Sequence, residues 1–349
     1  MISHNRKLIL TSLMLLGISA CSSIVESEQA PMSGNVLVTS EEIGSIYIDG
    51  EYTGQKTPHS FTMEAGEYSI SVGTENSRQY LKKQLTLTDA PQNVHLTAQD
   101  KVAPAVWKAL FVGVPTVTGK SSTGECSTHF NENDLDEAFS FFNHNLTEHI
   151  EPFSYNTVKW QIDRQDLTTP VELTYNPKNK WYTVEAEQGL AELSALKAGQ
   201  YDTVFLFWRE EQGDCSFKSP YFGLAWLDPT DKETKQTGYV TVKFNPKDIG
   251  VKARIDEYLA TDPGVWTHEW LHVVIEQFYP NLGVQTPLTP KDKLILHSAQ
   301  AYGYNYPWIK WYKDLISGQV PLGQKYVGIG PEALLSCSVA RTALDTCKK

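Results

Sequence analysis

The pentapeptide His268-Glu269-Trp270-Leu271-His272 constrains this chain more than any other feature. In a helix, a four-residue step puts two imidazoles one turn apart on the same face, with a carboxylate beside the first. By this arrangement a helix can hold a zinc ion and set a general base next to it. The flanks read as helical, because Val265, Trp266, Leu271, Val274, Ile275 and Phe278 recur at three- and four-residue steps. Asp262-Pro263 supplies a start signal, with Asp262 as the expected N-cap, and Pro280, Asn281 and Gly283 supply the stop. A helix of about four to five turns is expected, broken soon after His272 so that the chain can bring back another ligand.

Glu276 continues the register of the two histidines but lies about 12 Å along the axis from His268. Ligand bonds near 2 Å cannot span that distance, so Glu276 is expected to support a ligand or face solvent. The only histidine after the motif is His297, beyond a loop punctuated by Pro280, Pro287 and Pro290. It is the first choice for a third ligand; Glu332, Asp292 and Asp314 are the alternatives.

Residues 262–304 resemble the zincin metallopeptidases. That resemblance implies that His268, His272 and a downstream residue, here His297, bind Zn2+, and that Glu269 is the general base by which water hydrolyses a peptide bond. It also offers Tyr302 and Tyr304 as phenols that could face the oxyanion. The chain departs from the metzincin continuation at residues 273–278 and lacks the N-E-x-x-S-D helix of the thermolysin-like branch. Tyr302-Gly303 is similar to the end of the aspzincin signature, without its Asp. The implied architecture is α+β over residues 104–349: a twisted mixed sheet, the metal helix, then a more helical half. Residues 221–227 are the candidate edge strand for pairing with a protein or peptide substrate. The alternative function is a catalytically inactive zincin-like lipoprotein serving as an envelope binding or scaffold protein. The complete motif opposes it, since a binder has no need of Glu269.

Residues 1–20 carry Arg6 and Lys7, then an apolar run over 8–18 too short to cross a bilayer. This order is that of a secretory signal peptide. Ile18-Ser19-Ala20-Cys21 resembles the bacterial lipobox, which implies cleavage before Cys21 and lipid on its sulfur, and Ser22 implies the outer membrane. The expected location is the cell envelope, on its periplasmic or surface face, with residues 21–34 as a lipidated tether. Loss of residues 1–20, which contain two bases and no acid, takes the formal charge from −11 to −13. Such acidity argues against a nucleic-acid partner. In an oxidising compartment Cys126, Cys215, Cys337 and Cys347 can form two bonds. Cys126 with Cys215 and Cys337 with Cys347 are the expected pairs, and no C-x-x-C spacing favours a four-cysteine metal site.

Between residues 35 and 98 the chain reads as short strands over 35–39, 45–49, 61–63, 67–73 and 84–88. Ile46-Tyr47-Ile48-Asp49-Gly50, Gly54, Thr57-Pro58 and Gly66-Glu67-Tyr68 resemble the landmarks of a PEGA domain, with Glu42-Ile43-Gly44-Ser45 in place of the name-giving tetrapeptide. The resemblance implies a small all-β module for spacing or for docking an envelope partner. Past a short linker at 100–104, strands are expected at 105–112, 157–162, 171–175, 202–208 and 239–244, the fourth central in its sheet. Helices are expected at 134–150 and 188–197, with His144 and His149 on the solvated surface. Trp308, Trp311, Tyr312 and Leu315 fall at helical spacing and are expected to pack in the core.

Overall fold

The computed structural model describes residues 33–347 apart from 123, 178–179, 185–191, 194, 219–220, 228–235, 247–248 and 289–293. The expected signal peptide, Cys21, the tether up to residue 32, Asp292 and half of the helix expected over 188–197 lie outside the described residues. No helix among the described residues is long and apolar enough to cross a membrane.

The N-terminal part is all β: β1 (Ser33–Ser40), β2 (Gly44–Ile48), β3 (Glu51–Lys56), β4 (His59–Glu64), β5 (Gly66–Thr74), β6 (Tyr80–Leu87) and β7 (Gln92–Leu96). Two sheets, ordered β4-β1-β7 and β3-β2-β5-β6, enclose a core. Strand alternation aims Val36, Val38, Ile46, Ile70 and Val72 inward onto Leu81, Leu87 and Leu96. Asp49 and Gly50, at φ 51° and 83°, make the tight turn from β2 to β3. β3 and β7 were not expected. Glu51–Lys56 buries no residue fully and Gln92–Leu96 buries only Val94 and Leu96, so neither carries a strong apolar alternation.

Beyond residue 104 the structure mixes α and β. The main sheet joins β8 (Ala105–Gly113), β9 (Val158–Asp166), β10 (Thr203–Arg209), β11 (Gly223–Trp226) and β12 (Gly238–Phe244) in the order β9-β8-β10-β12-β11. β9, β8, β10 and β12 run parallel; β11 is antiparallel to β12 and forms an edge among the described residues. Both faces are covered. Ala109, Phe111, Phe205, Phe207, Val240 and Val242 meet the helices. Leu110, Val112, Val204, Leu206 and Trp208 meet a layer carrying Val117, Val171, Leu173 and Phe217. Double burial explains why 202–208 reads as an unbroken apolar run and why β10 is central.

Helix α1 (Glu132–Asn145) starts with a reciprocal cap: Asn131 Oδ1 accepts from the Asp134 amide at 2.9 Å, and Asp134 accepts from the Asn131 amide at 3.1 Å. A π turn, Leu146–Ile150, carries it to the expected end. His144 is exposed, but His149 is half-buried. Its ring stacks on Phe153 at 5.7 Å, and burial, with His144 adding to it, pushes its pKa down to about 4. That corrects the expected solvated position.

Helix α2 (Val251–Thr261) was not expected, and it displaces the start signal of the next helix. Asp262 closes α2, its amide donating to Tyr258 O at 2.7 Å, while α3 (Val265–Val273) begins after Gly264. Asp262 therefore does not cap the motif helix. α3 runs on through a π turn (Val274–Phe278) and a 3-10 turn (Tyr279–Leu282), and Gly283 at φ 83° ends it. Both expected cysteine pairs are joined, Cys126–Cys215 and Cys337–Cys347, with Cα separations of 5.7 and 4.7 Å.

The two parts are bonded to each other at the far end of α4 (Ile309–Ser317). Tyr47, fully buried, donates its hydroxyl to Ser317 O at 2.9 Å. Gln319 Nε2 donates to Tyr47 Oη and Tyr155 Oη at 2.9 and 2.8 Å, and Lys82 pairs with Glu332 at 2.6 Å.

Candidate metal centre

The position of the motif helix follows from its tryptophans. Trp266 packs on Phe111, Phe142, Phe205 and Phe207, and Trp270 meets Trp107 and Trp160 edge-on at 5.7 and 5.8 Å. These two residues, four apart, press α3 against the sheet. His268 and His272, also four apart, are left on the face away from it. The chain then returns: a 3-10 segment, Leu296–Tyr302, brings His297 to them.

One ligand-type nitrogen from each of His268, His272 and His297 lies within 4.8 Å of the others. The Nε2 atoms of His268 and His272 are 3.1 Å apart, close to the spacing of about 3.4 Å between tetrahedral ligands at bonds of 2.0–2.1 Å. The other ring nitrogens of these two are engaged. Tyr312 Oη sits 2.9 Å from His268 Nδ1, and Glu276 Oε2 sits 2.8 Å from His272 Nδ1. Such outer partners fix ring orientation and leave Nε2 to a metal. The rings of His297 and Trp308 stack on that of His268 at 5.4 and 5.9 Å. Burial, together with the charges His272 and His297 could carry, holds the His268 pKa well below the ordinary imidazole value, so it is neutral. Burial also depresses His272, but the Glu276 carboxylate, with Glu269 behind it, outweighs that and raises its pKa.

Glu269 points between α3 and the edge strand. It is 4% exposed, and its Oε2 has no hydrogen-bond partner. Its carboxyl lies against Gly223 of β11, where an added Cβ would come within 2.4 Å of Cδ. Burial pushes its pKa up to about 7. A buried carboxyl with an orphaned oxygen is costly in a plain protein interior and suits a site that receives a proton donor. Three converging imidazoles and that orphaned oxygen fit a divalent metal with an adjacent base.

Of the alternatives for third ligand, the two among the described residues fall elsewhere. Glu332 is paired with Lys82 of the N-terminal part, and Asp314 accepts from Tyr304 Oη at 2.7 Å and from Lys310 Nζ. The expected tyrosines are also committed. Tyr302 Oη bonds the backbone of Leu288, accepting from its amide at 3.0 Å and donating to its carbonyl at 2.9 Å; Tyr304 is buried on Asp314. The phenol at the histidines is Tyr312, a residue the sequence pattern assigned to packing. It does pack: Trp311, Tyr312 and Leu315 are fully buried. Helical spacing gives no sign that its hydroxyl ends on a histidine. Beyond α3, Gln277 reaches the edge strand, its Oε1 accepting from the Leu227 amide at 2.8 Å.

Residues 33–101 match the family model of the PEGA domain. No curated protein matches the chain. Among solved structures it is similar to the crystal structure of metalloproteinase-II from Bacteroides fragilis. The identity is 8%, the alignment covers 74% of this chain and 77% of that one, and the TM-score is 0.27.

Proposed function

We propose that residues 104–349 form a zincin-like domain that hydrolyses peptide bonds as a zinc-dependent endopeptidase. The observation that carries this reading is the convergence of His268, His272 and His297 within 4.8 Å, beside a buried Glu269 with an unpartnered oxygen. The three histidines would hold the ion through the nitrogens that face one another. Zinc bound there supplies a Lewis acid that acidifies water to a pKa of about 7 and polarises a carbonyl. Glu269 takes the water proton at its unpartnered oxygen and hands it to the leaving amine. Tyr312 and Glu276 keep the first two imidazoles in orientation. β11, with Gly223 against the Glu269 carboxyl, is the strand along which an extended substrate would lie.

The cellular reading is part of the same proposal: a lipid on Cys21 tethers the enzyme to the envelope, outer membrane included, and the PEGA domain spaces it or docks an envelope partner. Two disulfides are consistent with an oxidising compartment. The test is Glu269→Gln, assayed on an unfolded protein substrate. The variant is expected to keep its bound metal and lose hydrolysis by at least about 100-fold. Hydrolysis at the wild-type rate would remove Glu269 from the role of base. Absence of hydrolysis in the wild-type chain with metal in place would favour the binding or scaffold alternative.

A further inference from the structure

Resting on the metal-centre reading above, we propose that Glu276 is a positioning residue for two ligands at once, locking His272 and the segment that delivers His297 into one unit. His297 comes 25 residues after His272, so the helical spacing that sets His268 against His272 does not set its place. A hold on it lies at the residue before it. Glu276 Oε1 accepts the Leu296 amide at 3.0 Å while Oε2 lies 2.8 Å from His272 Nδ1. From α4, Trp311 Nε1 donates to Leu296 O at 3.1 Å, so both backbone polar groups of Leu296 are held. Leu296 is fully buried, and the Glu276 side chain is only 9% exposed.

The chemistry favours a carboxylate at this position over other side chains. Its two oxygens can accept from two donors in different elements at once. Both bonds are charge-assisted and shielded from water, which makes them strong and directional. A glutamine keeps one acceptor oxygen and presents a donor in place of the other, so it can serve the Leu296 amide or the imidazole N–H, and not both. Glu276 is too far along the axis from His268 to be a ligand with it, but its four-residue step from His272 puts it beside that imidazole, and its second oxygen reaches Leu296. The site is thereby assembled before a metal arrives, with the third donor registered to the second.

The proposal is tested by a double-mutant cycle on zinc affinity, read by competition with a chelator, for the full chain, Glu276→Gln, His297→Ala and the double variant. Glu276→Gln is expected to weaken zinc binding by about 10- to 100-fold in the wild-type background. With His297 absent, the same substitution is expected to cost less than about a third of that factor, since the part acting through His297 has gone. Equal factors in the two backgrounds would overturn the proposal by showing that Glu276 serves His272 alone, and an unchanged affinity in Glu276→Gln would overturn it outright. Should Glu276→Gln not fold, Trp311→Phe carries the same cycle: it leaves the histidines and Glu276 intact and deletes the second hold on Leu296. Its effect is expected to vanish when His297 is absent, and an effect that persists would overturn the proposal. Failure of the underlying reading is separate and visible first, as a wild-type chain that binds no zinc.

Discussion

Asp262 sits where α2 turns into α3, with its Oδ1 buried and unpartnered. Burial pushes its pKa from 3.8 up to about 6, against one backbone hydrogen bond at Gly264 that lowers it; Glu269, Tyr306 and Tyr312 lie within its electrostatic reach. A carboxyl whose folded pKa is raised stabilises the fold in its neutral form. Its contribution is complete below about pH 4 and is lost as pH rises through about 6. Asp262→Asn keeps the shape without the charge. At pH 7.5 it is expected to stabilise the chain by about 1 kcal/mol once partial exposure is discounted, or about 2 °C in Tm. At pH 4 the gain should disappear. Thermal unfolding at the two pH values checks this, and an equal shift at both would refute it. The same residue shows the limit of sequence reading at this scale. Asp before Pro looks like a cap for the downstream helix, and only the presence of α2 makes it the end of the upstream one.

At the scale of elements, the close pairing of α3 with β11 is the feature on which the proposed chemistry depends. Gly223 is the point of contact, since a methyl there would lie 2.4 to 2.8 Å from three atoms of the Glu269 carboxyl. A methyl there must displace the end of the Glu269 side chain, the carboxyl proposed as the base. Gly223→Ala is expected to lower kcat on the order of 100-fold while metal content stays unchanged. Steady-state kinetics beside metal analysis decides, and an unchanged kcat would show that the base tolerates displacement. The elements that were legible share a physical cause. β8, β10, β12, α1 and the motif helix bury a regular apolar set, so their period is written in the sequence. α2 buries Val251, Ile255 and, between them, Arg254, which blurs its stripe; β3 and β7 are largely exposed. His268, Glu269 and His272 were legible because one helix fixes their spacing. His297 could be proposed because no other histidine comes after the motif. Tyr312 could not, since its helix meets α3 only in the tertiary fold.

Across the whole molecule, the change of composition near residue 104 announces two parts, but not how they dock. Docking uses tyrosine hydroxyls on a backbone carbonyl and a glutamine amide, together with the Lys82–Glu332 pair, and such contacts have no periodicity to read. They fasten the PEGA domain to the end of α4, the helix that also carries Trp308 beside its start and Tyr312 at its centre. The candidate metal centre is thus a product of the complete fold. The sheet holds α3, the 3-10 segment returns His297, and α4 supplies the partner of His268. Elemental analysis of the purified full chain after dialysis tests the central claim most directly. One zinc ion per chain is expected, with near-complete loss in a His268→Ala/His272→Ala variant that remains folded. A wild-type chain without stoichiometric metal, or a variant that retains it, would contradict the account.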